Sequence, residues 1–348
     1  MEATSVAGSG LPAGRTLAAS GFNWTPRIIE ARHTAVEIVT GIARDDVAKV
    51  IELEPGLLWR TFPTPGNHEV DAFREALEAV GGRVSTVGCS LDDFTGTSER
   101  RSTGQCLDFL VPQLKAARRV GACAVRLPIG QAGPELLALL RPLLHELDLV
   151  LFEEIQGQQD PRNPAIRPAL DHLAALDDPR IRVLVDTSML MPALPPTYLD
   201  ELARGGVSPV LCSRLETEWK DPSTNDAMIA ALRSGTVPAG IHTLFMNLLV
   251  RFGRSDAGDL REILPLVGAF HLKFWDLEDA DRRVSKPLME LGRLLDQEGF
   301  TGLLTSEWGG HEWLANDPAD MTRRHLALAA GLTTHAEAAA LPFPPAAP

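Results

Sequence analysis

The stretch ACAVRLPIGQAGPELLALLRPLLHELDLVLFEEIQ, residues 122–156, decides the fold. It opens with a short apolar run, Ala122 to Leu127, closed by Pro128, before which the backbone favours an extended conformation. Pro134 to Leu147 then carries leucines at helical spacing behind a proline suited to a first helical turn. Leu149 to Ile155 returns to an almost unbroken apolar run that ends in acids. Strands buried on both faces read this way, and such strands joined by a helix pair in parallel.

The same alternation extends outward from this unit. His68 to Val80 reads as a helix stopped by Gly81 and Gly82, and Arg83 to Ser90 as the strand that follows. Thr103 to Val120 reads as a helix ending at Gly121. Ala165 to Leu176 is a helix and Ile181 to Asp186 a strand. Val267 to Trp275 is a strand, Ser285 to Gln297 a helix, and Gly302 to Glu307 the last strand. With two further strands expected in Arg15 to Phe22 and in Ala35 to Leu53, the count predicts an α/β fold of the (β/α)8 TIM barrel kind.

The connection from Asp186 to Val267 exceeds an ordinary loop and predicts a long helical insertion between strands six and seven. Helices are expected at Pro196 to Arg204, at Thr224 to Ser234 and within Ile241 to Leu264, over the mouth of the barrel. A chain of 348 residues suits one barrel domain, expected over 15–340. The Ala/Pro/Gly-rich ends, 1–14 and 341–348, are expected to be mobile.

With 45% hydrophobic and 23% charged residues, the composition is globular. A net charge of -13 and the lack of a Lys/Arg run argue against nucleic acid and anionic membranes as partners. Cys89, Cys106, Cys123 and Cys212 form no close pair of the zinc or redox type, and the N-terminus lacks a basic start and an apolar core. A cytoplasmic protein with reduced cysteines is expected.

Four apolar runs end in a group that can bind a metal or move a proton: LVLFEEIQ, RVLVDTSM, AFHLKFWD and LLTSEWGG. Side chains alternate across a strand, so Phe152, Glu154 and Gln156 share one face, and Glu153 points the other way. The same parity groups Leu184 with Asp186 and Ser188, His271 with Lys273 and Trp275, and Thr305 with Glu307. In a barrel of this kind the C-terminal strand ends converge, which makes Glu154, Asp186, His271 and Glu307 candidate ligands of one divalent ion. Three carboxylates and one imidazole suit a hard cation, with Mn2+ the first expectation and Mg2+ or Co2+ the alternatives.

FHLKFWD (270–276) and GFTGLLTSEWGGHEW (299–313) resemble the last two strands of the xylose isomerase-like, or sugar phosphate isomerase/epimerase, TIM barrels. Within that family they are most similar to the large subunit of the bacterial C-glycoside deglycosidases. The resemblance implies metal ligation by Glu154, Asp186, His271 and Glu307, and chemistry that begins by removing a proton beside a carbonyl. It also implies a sugar or glycoside substrate, oligomerisation and a small β-rich partner subunit. Deglycosylation of 3-oxo-glycosides by β-elimination is the first expectation. A ketose 3-epimerase or sugar isomerase, and a non-catalytic sugar-binding subunit, are the alternatives. The resembled pattern at the first ligand strand is Glu–Ile–His, whereas this chain has Glu154, Ile155 and Gln156.

On this reading Glu154 and Glu307 are candidate bases at the edge of the metal. Lys273 is a candidate for neutralising a substrate oxygen or donating a proton, or else an ion-pair partner of Glu307. Arg126 and Gln156 are candidates for binding substrate hydroxyls, and Trp275 and Trp308 for stacking on a sugar or aromatic ring. His242, in the segment between strands six and seven, is a candidate for reaching the pocket.

Overall fold

The computed structural model describes residues 11–96 and 98–332. The tail at 341–348, the expected domain end at 340 and positions 1–10 of the expected mobile N-terminus therefore lie outside the described residues. Eight parallel strands close a barrel: β1 (Arg15–Ser20), β2 (Val50–Leu53), β3 (Arg83–Gly88), β4 (Ala124–Pro128), β5 (Val150–Ile155), β6 (Ile181–Asp186), β7 (Val267–Phe274) and β8 (Gly302–Trp308). Each pairs with its neighbours in chain order, and β8 returns to β1 through Arg15 opposite Gly302. Helices follow the strands and form the outer layer, as the alternation of apolar runs requires.

Strand parity divides the apolar residues into two cores. Leu151, Ile155, Val183, Val185, Phe270, Leu272 and Leu304 face outward into the large cluster shared with the helices. Ala124, Val150, Phe152, Leu184, Ala269 and Leu303 fill the barrel interior at its lower end. Leu11 packs against that lower plug and Pro12 is buried. Above the plug the inward positions change from apolar to charged, and the candidate site begins there.

Two sequence expectations are corrected here. Ala35 to Leu53 is not one strand region: Ala35–Arg44 is a helix, started by a capping box in which Thr34 and Glu37 exchange side-chain and backbone hydrogen bonds. Only Val50–Leu53 is strand. The connection from β6 to β7 holds the helices Pro196–Arg204, Pro209–Thr217, Pro222–Arg233 and His242–Val250. The second of these is additional to those expected, and its N-terminus is set by Ser208, whose hydroxyl accepts from the Leu211 backbone N–H.

Glu153, on the outward face of β5, is enclosed between barrel and helices and accepts from the Gly130 N–H at 2.6 Å. Burial pushes its carboxyl up to about 8 against that one hydrogen bond. An acid whose pKa is raised on folding contributes its stability below its unfolded value and loses it as pH climbs through the folded one. Glu153→Gln keeps an acceptor for Gly130 and removes the ionisation. The wild-type denaturation midpoint is therefore expected to fall relative to the variant between about pH 5 and about pH 8. Parallel curves for the two proteins would show that Glu153 does not carry this titration.

Candidate metal centre

Glu154 is the penultimate residue of β5, Asp186 ends β6, His271 lies within β7 and Glu307 within β8, and all four are buried. Parallel register puts Asp186 opposite His271, and Glu307 opposite Lys273. One ligand atom from each of the four residues lies within 4.8 Å of the others. His271 Nδ1 stands 3.0 Å from Glu154 Oε1 and 3.1 Å from Glu307 Oε2.

The second nitrogen of this imidazole is accounted for by a residue the sequence reading did not single out. His271 Nε2 donates to Glu52, with both carboxylate oxygens at 3.0 Å. Glu52 is fully buried at the inward face of β2. A carboxylate behind an imidazole fixes the ring's orientation and leaves the far nitrogen for a cation, an arrangement common around protein metals. Nδ1 is buried, and no well-directed hydrogen bond reaches it among the described residues. Three carboxylate oxygens and that nitrogen match the donors a divalent cation of the Mn2+ or Mg2+ type takes.

Arg126, inward on β4, ties the carboxylates together. Its Nε donates to Glu52 Oε1 at 2.7 Å, one terminal nitrogen to Glu154 Oε2 at 3.0 Å, and the other to Glu54. Lys273 Nζ sits 3.2 Å from Glu307 Oε2, with the Phe22 ring centroid 4.8 Å and the Trp275 centroid 5.3 Å away. Burial penalises every one of these charges, and their mutual attraction decides each outcome. Burial would raise Glu52, but facing His271 and Arg126 hold it at about 2. Burial is likewise overcome at Glu154 by Arg126 and His271, and at Glu307 by Lys273 and His271, so both carboxyls lie below the usual range. Asp186 goes the other way, pushed up to about 6 by burial in spite of Lys273. Against burial, the surrounding carboxylates raise His271 and Lys273.

The centre opens into a cavity of about 630 Å³ lined by Phe22, Glu54, Arg126, Glu154, Gln156, Asp186, Lys273, Trp275 and Glu307, among others. Its far wall comes from Leu249, Val250 and Arg251, at the end of the helix His242–Val250. Two glycines allow that close approach. A Cβ on Gly157 would lie 2.0 Å from the Val250 carbonyl oxygen, and one on Gly253 would lie 2.2 Å from the Gly157 carbonyl oxygen. The Gly253 N–H donates to the Ser188 carbonyl at 2.8 Å, and Arg251, on the cavity wall, pairs with Glu312.

Two candidate residues lie elsewhere. Trp308 follows the inward Glu307, so parity turns it outward, where it packs with Phe274 and Met321 and donates from Nε1 to the Trp275 carbonyl at 2.8 Å. It does not line the cavity. His242 begins its helix, is exposed, and does not line the cavity either; the opposite end of the helix does.

Removing the charge behind His271 tests this assignment. Glu52→Gln is expected to weaken Mn2+ binding about 10- to 100-fold, as read by calorimetric titration. An unchanged affinity would mean that Glu52 does not support a ligand.

No family model matches the chain. The C-glycoside deglycosidase alpha subunit of Arthrobacter globiformis is 26% identical over 334 residues, covering 93% of this chain and 92% of that protein. The 3'-dehydrocarminate deglycosidase alpha subunit of a Microbacterium species is 24% identical, covering 86% and 90%. Among solved structures, a D-psicose 3-epimerase superposes with a TM-score of 0.55 at 12% identity, over 91% of this chain and 99% of that one. A 3-keto-D-glucoside 4-epimerase from E. coli superposes at 0.52 with 13% identity, over 90% and 98%. In fold the chain is a TIM barrel that superposes on sugar epimerases, and in sequence it is similar to proteins named C-glycoside deglycosidase alpha subunits.

Proposed function

We propose that this chain uses a divalent cation to remove a proton beside a sugar carbonyl and to release the aglycone of a 3-oxo-glycoside by β-elimination. It is an enzyme of the lyase or isomerase/epimerase kind, given deglycosidase relatives across nine tenths of its length and epimerases of the same fold. The convergence of Glu154, Asp186, His271 and Glu307, with all but the fully buried His271 lining one cavity, carries the metal part of the reading. A bound dication supplies Lewis acidity that stabilises negative charge on the carbonyl oxygen.

The chain's own residues supply the rest. Glu154 and Glu307 stay ionised, as a base must, and they approach the centre from strands that are not neighbours in the barrel. One of them takes the proton from C2, next to the C3 carbonyl. The electron pair left behind returns to form the C1–C2 double bond as the C1–aglycone bond breaks. Lys273, held charged beside Glu307, faces the substrate oxygens as a fixed cation. Each guanidinium nitrogen of Arg126 meets a carboxylate, so it acts first by positioning Glu52 and Glu154. Gln156 and Trp275 line the cavity as contacts for sugar hydroxyls and ring faces.

A ketose 3-epimerase would share these steps up to reprotonation, and the D-psicose 3-epimerase fold neighbour keeps that reading in view. Because the sequence relatives are named alpha subunits, we also infer a second subunit, small and β-rich, in a cytoplasmic assembly. Mn2+ is the expected ion. Chelation is expected to abolish aglycone release from a 3-oxo C-glycosyl aromatic, and Mn2+ to restore it. Glu307→Gln is expected to slow release by at least about a hundredfold. Epimerisation of a free ketose without aglycone release would favour the epimerase, and unimpaired function of Glu307→Gln would favour a binding subunit.

A further inference from the structure

β-Elimination needs a proton for the departing aglycone carbon as well as a base for C2. Glu154, Asp186 and Glu307 converge on the candidate cation position with His271. Lys273 is held charged by Glu307, Arg126 by three carboxylates, and Arg251 pairs with Glu312. Gln156, Gln158, Gln159 and Asn163 are amides and carry no acidic proton at neutral pH. Glu54 is left.

Its position suits the task. Glu54 follows β2 on the same face as Glu52, lines the cavity, and leaves 24% of its side chain accessible. One carboxylate oxygen accepts from Arg126, so the group is oriented by a guanidinium fixed at two other points. Gly88 on β3 makes room for the pair: a Cβ there would lie 3.0 Å from Glu54 Oε2 and 3.2 Å from an Arg126 terminal nitrogen.

Resting on the function proposed above, we propose that Glu54 is the proton donor to the leaving aglycone and that Arg126 positions it. When the C1–aglycone bond breaks, its electron pair stays with the aglycone carbon, which takes the Glu54 proton. The carboxylate that remains faces Arg126, the C2 proton stays on the base, and both groups are reset by exchange with water. Burial pushes Glu54 up to about 7 against the pull of Arg126 from β4, with Glu52 on the preceding β2, Glu307 on β8 and Glu154 on β5 adding to the rise. A protonated share therefore persists near neutrality.

The test compares two 3-oxo-glycosides in the Mn2+-loaded protein. One has an O-linked p-nitrophenyl group, which departs without a proton; the other has a C-linked phenolic ring, which requires one. Glu54→Gln is expected to lower kcat by at least about a hundredfold on the C-linked substrate and less than about fivefold on the nitrophenyl one, with Mn2+ content and melting temperature kept. Should that variant fail to fold, Glu54→Asp, which withdraws the carboxyl by one methylene, is expected to show the same one-sided loss. Equal slowing of both substrates, or of neither, overturns Glu54 as donor and leaves the function standing. A wild-type protein that releases neither aglycone overturns the function itself, and the role of Glu54 with it.

Discussion

The C-terminal end of the barrel is organised by a charge balance in a buried volume. Glu52, Glu54, Glu154, Asp186 and Glu307 face Arg126, His271 and Lys273, and burial alone would neutralise every one of them. Removing one partner of a buried pair typically costs about 3–5 kcal/mol, because the charge left behind has no water to turn to. The groups are therefore mutually dependent. A dication among Glu154, Asp186, His271 and Glu307 would add positive charge where acids outnumber bases, so these four groups could hold one.

The barrel delivers these groups through strand parity. Inward positions that hold Phe152, Leu184, Ala269 and Leu303 at the lower end hold Glu154, Asp186, His271 and Glu307 at the upper end. That periodicity is visible in one dimension, so four groups later found together could be picked out from apolar runs ending in acids or a histidine. Trp308 shows the cost of arguing from adjacency instead: it neighbours Glu307 in sequence, but the alternation that turns Glu307 inward turns Trp308 toward Phe274 and Met321.

What stayed hidden has physical causes. Glu52 and Glu54 sit in VIELE, which carries the same signature of apolar residues ending in acids, but its strand is only Val50–Leu53 and a capped helix precedes it closely. Merged with that helix, the short strand lost its period and its acids went unread. The cavity wall at Leu249 to Arg251 depends on contacts between distant segments, with Gly157 and Gly253 letting two backbones meet. No local pattern encodes that meeting, and His242 lies at the opposite end of the helix from the residues that line the cavity.

Glu52 and Glu54 show how one guanidinium can serve two ends. Both point to the same face, Glu52 fully buried on β2 and Glu54 partly buried just after it, both accept from Arg126, and yet one is held at about 2 and the other is pushed up to about 7. The difference is His271, which donates to Glu52 and adds a second positive neighbour, whereas Glu54 has only the arginine to set against burial and the surrounding acids. Environments that drive like groups apart assign them different work. The lowered acid is suited to stand permanently charged behind a ligand, and the raised one to exchange a proton with whatever enters the cavity.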